Sequence, residues 1–120
     1  MTTRDDTGLP ATTFRSRGPT RTRSVRFYIG SSPGAHVDQE ARARRIAELL
    51  AFHAIDGATI LPAWGVWQGS IEASTVVEII ASLDPAESRF LADDLRALFG
   101  QESVLVVDAL VESRLVERAQ

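Results

Sequence analysis

The sequence predicts an α+β domain in which four antiparallel strands form one sheet and two helices cover one face of it. Strand-like and helix-like patterns alternate as βαββαβ between Val25 and Val116. Pro62 lies within the second strand, and proline is confined to edge strands or bulges because it lacks a backbone donor. Right-handed connections in a split βαβ fold give the strand order 4-1-3-2, which places that strand at an edge. The predicted fold is therefore the ferredoxin-like sandwich.

The first half of the domain contains a strand, a helix and a second strand. Residues 24–29 alternate apolar and polar side chains, as expected of a half-buried strand. Asp38 is a candidate N-cap for the first helix, which has Arg42 on its predicted wet side and ends at Gly57. Residues 58–68 form the second strand. The predicted apolar stripe of the helix is Ile46, Leu49, Leu50 and His53.

The second half contains a strand, a helix and a last strand. Residues 72–81 hold a nearly continuous apolar run, which is typical of a central strand, and Gly69-Ser70 is the predicted hairpin turn before it. Asp84, followed by proline and by glutamate at the third helical position, indicates a helix start. Residues 103–116 are the predicted last strand. The predicted buried stripe of this helix is Phe90, Leu91, Leu95 and Leu98.

The distribution of charge divides the chain into an arm and a domain. We predict that residues 1–23 are a flexible Arg/Thr-rich arm and that residues 24–118 form the α+β domain. All 13 basic residues are arginine, and six of them lie within the first 26 residues beside only two acidic residues. The arm is expected to be a solvated tail or to dock on a protein partner. A nucleic-acid partner is not expected, because the domain itself is acidic.

The composition narrows the chemistry that the chain can perform. It contains no cysteine, which excludes disulfides, thiolate nucleophiles and thiolate metal ligands. We find no secretory signal and no apolar run near the roughly 20 residues of a membrane span, so we expect a cytoplasmic protein without membrane partners. The two histidines, His36 and His53, have no metal-ligand spacing, and neither a metal nor another cofactor is expected.

Five short segments of the chain carry a resemblance to other proteins: Phe27-Tyr28-Ile29-Gly30, Gly57-Ala58-Thr59, Gly65-Val66-Trp67, Glu72-Ala73-Ser74-Thr75-Val76-Val77 and Phe99-Gly100-Gln101-Glu102-Ser103-Val104. Through them, residues 27–116 resemble a family of small uncharacterised bacterial proteins, many of them considered lipoproteins. The chain has no cysteine to anchor a lipid and we expect no signal peptide, so a periplasmic location is not carried over. The layout is also similar, at the level of fold, to PII-type signalling proteins and dimeric α+β barrels.

Two tryptophans on the second strand are candidate contact residues. Trp64 and Trp67 are three residues apart, so strand alternation places them on opposite faces of the sheet. We expect one to face the helices and the other to lie near Tyr28 or Arg26 on the open face. That face is either buried against another subunit or forms the aromatic wall of a ligand pocket.

Polar side chains near the strand ends are the remaining candidates. Glu72 begins the third strand and is either a general base or ligand contact, or a structural group that pairs with arginine or caps backbone amides. Gln101 follows the second helix and either contacts a ligand or holds a tight turn. Residues 30–34 precede a helix and have backbone amides able to cradle an anion, but they lack the lysine of a phosphate-binding loop.

The leading functional hypothesis is a non-enzymatic homo-oligomeric binding module with a site at the open sheet face or a subunit boundary. This hypothesis assigns no catalytic residue. One alternative is a small enzyme of the α+β-barrel kind with Glu72 or His53 as the proton acceptor. Another is a structural or accessory protein encoded by a virus or mobile element. The proposed ligand-binding residues are Arg26, Tyr28, Trp64, Trp67 and Glu72.

Overall fold

The computed structural model describes the backbone of residues 14–16, 20–32 and 34–119, and side chains from Thr22 onward. This part of the chain contains two helices, each lying between two pairs of strands. In chain order they are β1 (Phe14–Ser16), β2 (Thr20–Ile29), α1 (Gln39–Phe52), β3 (Thr59–Trp67), β4 (Ser70–Ala81), α2 (Pro85–Leu98), β5 (Leu105–Ser113) and β6 (Val116–Arg118).

Four strands form an antiparallel sheet in the order β3-β4-β2-β5. This is the order predicted from the sequence, and Pro62 lies in the edge strand β3 as expected. Both helices contribute to one core cluster with the buried side chains of β2 and β4. The predicted ferredoxin-like α+β fold is confirmed.

The core lies between the helices and one face of the two central strands. Phe27 of β2 is opposite Val77 of β4, and both are completely buried. Burial of large apolar side chains is the main favourable term in folding such a domain. The cluster consists of Val25, Phe27, Ile29, Ile46, Leu50, Val77, Ile79, Leu83, Leu91 and Leu95.

Capping interactions fix where the helices begin. Asp38 accepts a hydrogen bond from the Ala41 amide at 3.0 Å, and Asp84 accepts one from the Glu87 amide at 2.8 Å. The latter bond lowers the pKa of the Asp84 carboxyl. Both caps are those that the sequence predicts.

The end of α1 differs from the prediction. The left-handed residue after the helix is Ala54, with φ of 57°, rather than Gly57. The Ala54 amide donates to the Ala51 carbonyl, and the Ile55 amide donates to the Leu50 carbonyl at 2.9 Å. These bonds close the turn before the glycine is reached. The end of α2 is as predicted, with Gly100 at φ of 62°.

Two assignments of helix faces are wrong. Phe90 is 69% exposed, because Ser88, Leu91 and Leu95 are the α2 side chains that turn toward the sheet. Arg42, expected on the wet side of α1, is buried. Its burial places a cation directly beside the end of β2.

The β3–β4 hairpin closes through a two-residue turn, Gln68-Gly69, rather than through Gly69-Ser70. Both turn residues have positive φ, at 48° and 79°. This is the backbone geometry that matches the twist of paired strands. The turn sets the register in which Gly65 lies opposite Glu72.

Strands also occur where the sequence predicts no regular structure. Residues 14–16 pair with β6, and residues 20–23 extend β2 along the far end of β5. The pairing comes from the distant C-terminal strands, which local composition does not reveal. The predicted last strand, residues 103–116, is divided into β5 and β6. Most of the predicted arm, residues 1–13 and 17–19, lies outside the described residues.

Neither α1 nor α2, the helices of the described part of the chain, has the length and apolar character needed to cross a membrane.

Candidate functional site

Glu72 lies near the start of β4 on the sheet face that carries no helix. Its register partner is Gly65 of β3. Alternation along β4 directs Thr75 and Val77 into the core, so Glu72 and Ser74 belong to the opposite, open face. The carboxylate is therefore placed at one end of the open face, beside the hairpin.

Two glycines leave the space that the Glu72 side chain occupies. A Cβ atom added at Gly30 would lie 2.6 Å from Glu72 Oε1 and 3.6 Å from the amide oxygen of Gln101. A Cβ atom added at Gly65 would lie 3.5 Å from Glu72 Cγ and 3.7 Å from Ser74 Cβ. The carboxylate and the amide oxygen thus converge over Gly30. We call Gly30, Gly65, Glu72, Ser74 and Gln101 the Glu72 site.

The Glu72 site offers hydrogen-bond acceptors to a ligand. Among the described residues, no side chain or backbone group makes an ion pair or hydrogen bond with the Glu72 carboxylate. An ionised carboxylate only accepts hydrogen bonds, and the neighbouring amide oxygen of Gln101 is also an acceptor. Two acceptors over one glycine favour a ligand group that is a donor and a cation.

Replacing Gly30 by alanine is expected to displace the Glu72 carboxylate without unfolding the domain. The added methyl group would lie 2.6 Å from Glu72 Oε1, which is closer than two non-bonded atoms can approach. The Glu72 carboxylate should move away, because the end of a flexible side chain is displaced more easily than the backbone. The carboxyl NMR signal of Glu72 should shift, while the melting temperature changes by a few degrees at most. Carboxyl NMR spectra and thermal unfolding measure the two quantities. The control is Gly57→Ala, where nothing lies within 4 Å of the added carbon.

A buried polar layer supports the site from the helix side. Arg42 Nη2 donates to the Gly30 carbonyl at 3.0 Å, and Nη1 donates to Thr75 Oγ1 at 3.2 Å and to the Ile29 carbonyl at 3.4 Å. The Thr75 hydroxyl donates to Gln39 Oε1 at 2.8 Å. The layer therefore joins α1 to the end of β2 and to β4.

The Arg42 guanidinium also contacts the segment that carries Gln101. Its Cζ lies 4.8 Å from the centre of the Phe99 ring, and Arg45 Cζ lies 5.1 Å from the same ring. Desolvation, followed by the charge of Arg45, lowers the pKa of Arg42. Helical periodicity alone gave no sign of this residue, because arginine is normally assigned to a solvent-exposed face.

The Arg26 and Tyr28 candidates lie on the open face but farther along the strands than Glu72. Arg26 Nε donates to Glu78 Oε2 at 2.6 Å, and the hydrogen bonds with Glu78 and then Tyr28 raise the pKa of Arg26. Glu78 is six residues from Glu72, or about 20 Å along an extended strand. The structure therefore does not bring Arg26 and Glu72 together.

The tryptophans lie on opposite faces, as alternation predicts. Trp64 is opposite Ala73 and Trp67 is opposite Ser70. Trp64 lies on the helix side of the sheet and Trp67 on the open face, as expected, but Trp64 is 77% and Trp67 71% exposed. The expectation that the open-face tryptophan lies near Tyr28 or Arg26 is wrong, because Tyr28 is opposite Val76, farther along β4. The hairpin end extends beyond the part of the sheet that the helices cover.

An open cavity of about 520 Å³ lies at the other end of β4 and does not include Glu72. His53 lines this cavity, and its Nε2 is 2.7 Å from Asp94 Oδ2. The two proton acceptors considered from the sequence, Glu72 and His53, thus belong to different regions. Glu78 and Glu87 also line the cavity.

The chain matches no protein-family model and no curated protein. Solved structures of similar fold include a phage SAM lyase in its apo state, at 20% identity and a TM-score of 0.62, with 83% of this chain and 91% of that chain covered. A phage SAM lyase in complex with S-methyl-5'-thioadenosine matches at 22% identity and 0.59, covering 82% and 90%.

A third similar structure is CPII, a nitrogen regulatory PII-like protein from Thiomonas intermedia bound to ADP, AMP and bicarbonate. It is 15% identical, with a TM-score of 0.52, and the match covers 79% of this chain and 94% of that chain. At these identities the likenesses show the fold alone. The similarity to PII-type proteins expected from the sequence is confirmed at that level, whereas membership of the bacterial family with lipoproteins stays a prediction.

Proposed function

We propose that the chain binds S-adenosylmethionine at the Glu72 site and cleaves it to S-methyl-5'-thioadenosine. The observation that carries this proposal is the pair of acceptor oxygens, from Glu72 and Gln101, that converge over Gly30. S-adenosylmethionine supplies a sulfonium and an ammonium group, which such acceptors attract. The fold shared with two structures of a phage SAM lyase supports the choice of ligand.

The charge of the site favours a sulfonium nucleoside over a nucleotide. The phosphates of ADP or AMP would meet the Glu72 carboxylate, and like charges at close range repel. The buried arginine nearby, Arg42, directs its donors at the Gly30 and Ile29 carbonyls and at Thr75. We therefore expect S-adenosylmethionine to bind more tightly than ADP.

The proposed cleavage balances within the substrate itself. An oxygen of the substrate's own carboxylate forms a bond to the γ carbon of the methionine part, while the bond from that carbon to sulfur breaks. The electron pair moves to sulfur, which leaves as the neutral thioether of S-methyl-5'-thioadenosine. The other product is a four-carbon lactone that keeps the ammonium group. Glu72 would hold that ammonium and so orient the attacking oxygen.

Product analysis of the full chain tests this proposal. The protein is incubated with S-adenosylmethionine, and the products are separated and identified by mass spectrometry. We expect S-methyl-5'-thioadenosine and the lactone in equal amounts, and no cleavage of S-adenosylhomocysteine, which lacks the sulfonium. A rate no higher than that of the spontaneous reaction would contradict the enzymatic proposal.

The second candidate is a non-enzymatic module that binds an adenine nucleotide. The PII-like structure bound to ADP and AMP, which shares the fold, favours it. ADP should then bind with at least the affinity of S-adenosylmethionine, and neither compound should be converted. Titration of the same preparation with both ligands distinguishes the two candidates.

The proposed function includes self-association through the open sheet face. A monomer rarely exposes a large contiguous apolar surface, and a second copy over this face would also roof the Glu72 site. In a symmetric dimer the same surface of each subunit forms the interface, so the open face of one copy would pack on the open face of the other. The exposed apolar side chains of the face are Leu61, Trp67, Ile80, Leu105 and Val107.

A charge on the open face is expected to dissociate the oligomer. Leu61 is 49% exposed and lies opposite Val76, so Leu61→Glu should not disturb the core. Light scattering should give the monomer mass for this variant and a larger mass for the parent chain. Phe90→Glu, on the outer side of α2, is the control and should leave the mass unchanged. Equal masses for all three proteins would show that the face is not an interface.

The phage source of the two similar lyase structures supports the alternative that this chain is encoded by a virus or mobile element. A cytoplasmic location, and a protein partner for the basic arm, stay predictions from the sequence.

A further inference from the structure

Gly30 is held from two sides by two different side chains. On one side its carbonyl accepts the 3.0 Å hydrogen bond from Arg42 Nη2. On the other side its α carbon faces the Glu72 carboxylate, so closely that a methyl group would not fit. Any movement of the Gly30 backbone therefore changes the space that the carboxylate occupies.

The same guanidinium touches the chain segment that carries the second acceptor. Arg42 lies over the Phe99 ring, and Gln101 follows two residues later. The Gln101 side chain donates to the Phe99 carbonyl at 3.3 Å. Arg42 thus contacts both segments whose oxygens converge over Gly30.

The way in which Arg42 is buried is difficult to explain by stability alone. Its described partners are two backbone carbonyls, one hydroxyl and an aromatic ring, with no carboxylate among them. Removing a guanidinium from water is costly, and apolar residues often replace buried charged groups without loss of stability. What the arginine supplies is a set of donors to the Ile29 and Gly30 carbonyls and to Thr75.

We propose that Arg42 is a positioning residue of the Glu72 site, where its guanidinium fixes Gly30 and the Phe99–Gln101 segment so that the two acceptor oxygens converge. This inference rests on the proposed function for its ligand. Thr75 and Gln39 take part by orienting the guanidinium, since the Thr75 hydroxyl accepts from Arg42 and donates to Gln39. Arg42 itself does not contact the substrate.

The test compares Arg42→Lys and Arg42→Met with the parent chain, and uses Arg45→Met as the matched control. Arg45 contacts the same Phe99 ring and donates to the Leu98 carbonyl, but it does not reach Gly30. Lysine keeps the positive charge but lacks the planar guanidinium, whose N–H groups can donate to several acceptors at once. If Arg42→Met does not fold, the lysine variant still supplies the comparison.

Two readouts are needed. Calorimetric titration with S-adenosylmethionine should show at least tenfold weaker binding for both Arg42 variants and a change below twofold for Arg45→Met. Amide NMR spectra without ligand should show shifted signals for the Gly30 amide and the Gln101 side-chain amide in the Arg42 variants only.

The outcomes separate this inference from the proposed function. If the parent chain does not bind S-adenosylmethionine, the proposed function fails, and the NMR comparison still decides the role of Arg42. Unchanged Gly30 and Gln101 signals in a folded Arg42 variant would overturn the inference. Parent-like affinity in that variant would also overturn it.

Discussion

Replacing Glu72 by glutamine is expected to lower kcat/KM for S-adenosylmethionine cleavage about 10- to 100-fold. A hydrogen bond to a charged group contributes about 1.5–3 kcal/mol, and about 1.4 kcal/mol corresponds to a factor of ten. Glutamine keeps the size of the side chain but removes its charge, and its amide group can no longer accept at both positions. Steady-state rates of S-methyl-5'-thioadenosine formation measure the effect.

Most of that loss should occur in KM rather than in kcat. The ammonium charge is the same in the substrate and in the transition state, so its contact with Glu72 stabilises both equally, and such uniform binding affects KM. Glu78→Gln is the control, because Glu78 lies on the same face of β4 but pairs with Arg26. An equal loss in both variants would show that the effect is not specific to the Glu72 site.

Replacing Phe27 by alanine is expected to reduce the free energy of unfolding by about 3–5 kcal/mol. Phe27 is completely buried at the centre of the sheet, opposite Val77 on one neighbouring strand and Val106 on the other. Its removal leaves a cavity that the paired strands cannot close. A small domain has a total stability of only about 5–15 kcal/mol, so the variant should be close to unfolding.

Urea denaturation of Phe27→Ala and of the parent chain measures the difference in their free energies of unfolding. Phe52→Ala is the matched control, since Phe52 is 84% exposed and its removal should change the free energy of unfolding by less than about 0.5 kcal/mol. If Phe27→Ala and Phe52→Ala unfold at the same urea concentration, the core is not organised around β2 as described.

The fold could be predicted because its signals are local and consistent with one another. Alternation in the first strand, the apolar run around Val77 and the caps at Asp38 and Asp84 each indicate one element. Pro62 then fixed which strand lies at the edge. Local patterns do not predict the short strands at residues 14–16 and 116–118, because these strands pair with each other across nearly the whole length of the chain.

The candidate site could be predicted only in part. The sequence indicates Glu72 at the start of a strand and Gln101 in the turn after the second helix, but nothing in their spacing shows that they meet over Gly30. That contact depends on the register of β2 and β4 and on the turn after α2. Periodicity places Arg42 on the solvent-exposed face of α1. It carries no information on whether a polar network buries that face.

The aromatic candidates show a different limit of sequence reasoning. Alternation correctly separates Trp64 from Trp67, yet it carries no information on how far a hairpin extends beyond the helices. Exposure of both indoles is a tertiary property of the hairpin end. Their role in ligand binding stays a prediction.

The decisive measurement is a calorimetric comparison of S-adenosylmethionine with an analogue in which hydrogen replaces the ammonium group, on the full chain and on Glu72→Gln. The two ligands differ only in the ammonium group, so the ratio of their affinities reports how the site responds to that cation. We predict that the parent chain prefers S-adenosylmethionine at least tenfold and that the preference falls to within twofold in Glu72→Gln. Equal affinities for the parent chain, or a preference that survives the substitution, would contradict the role of Glu72 in binding the ammonium group.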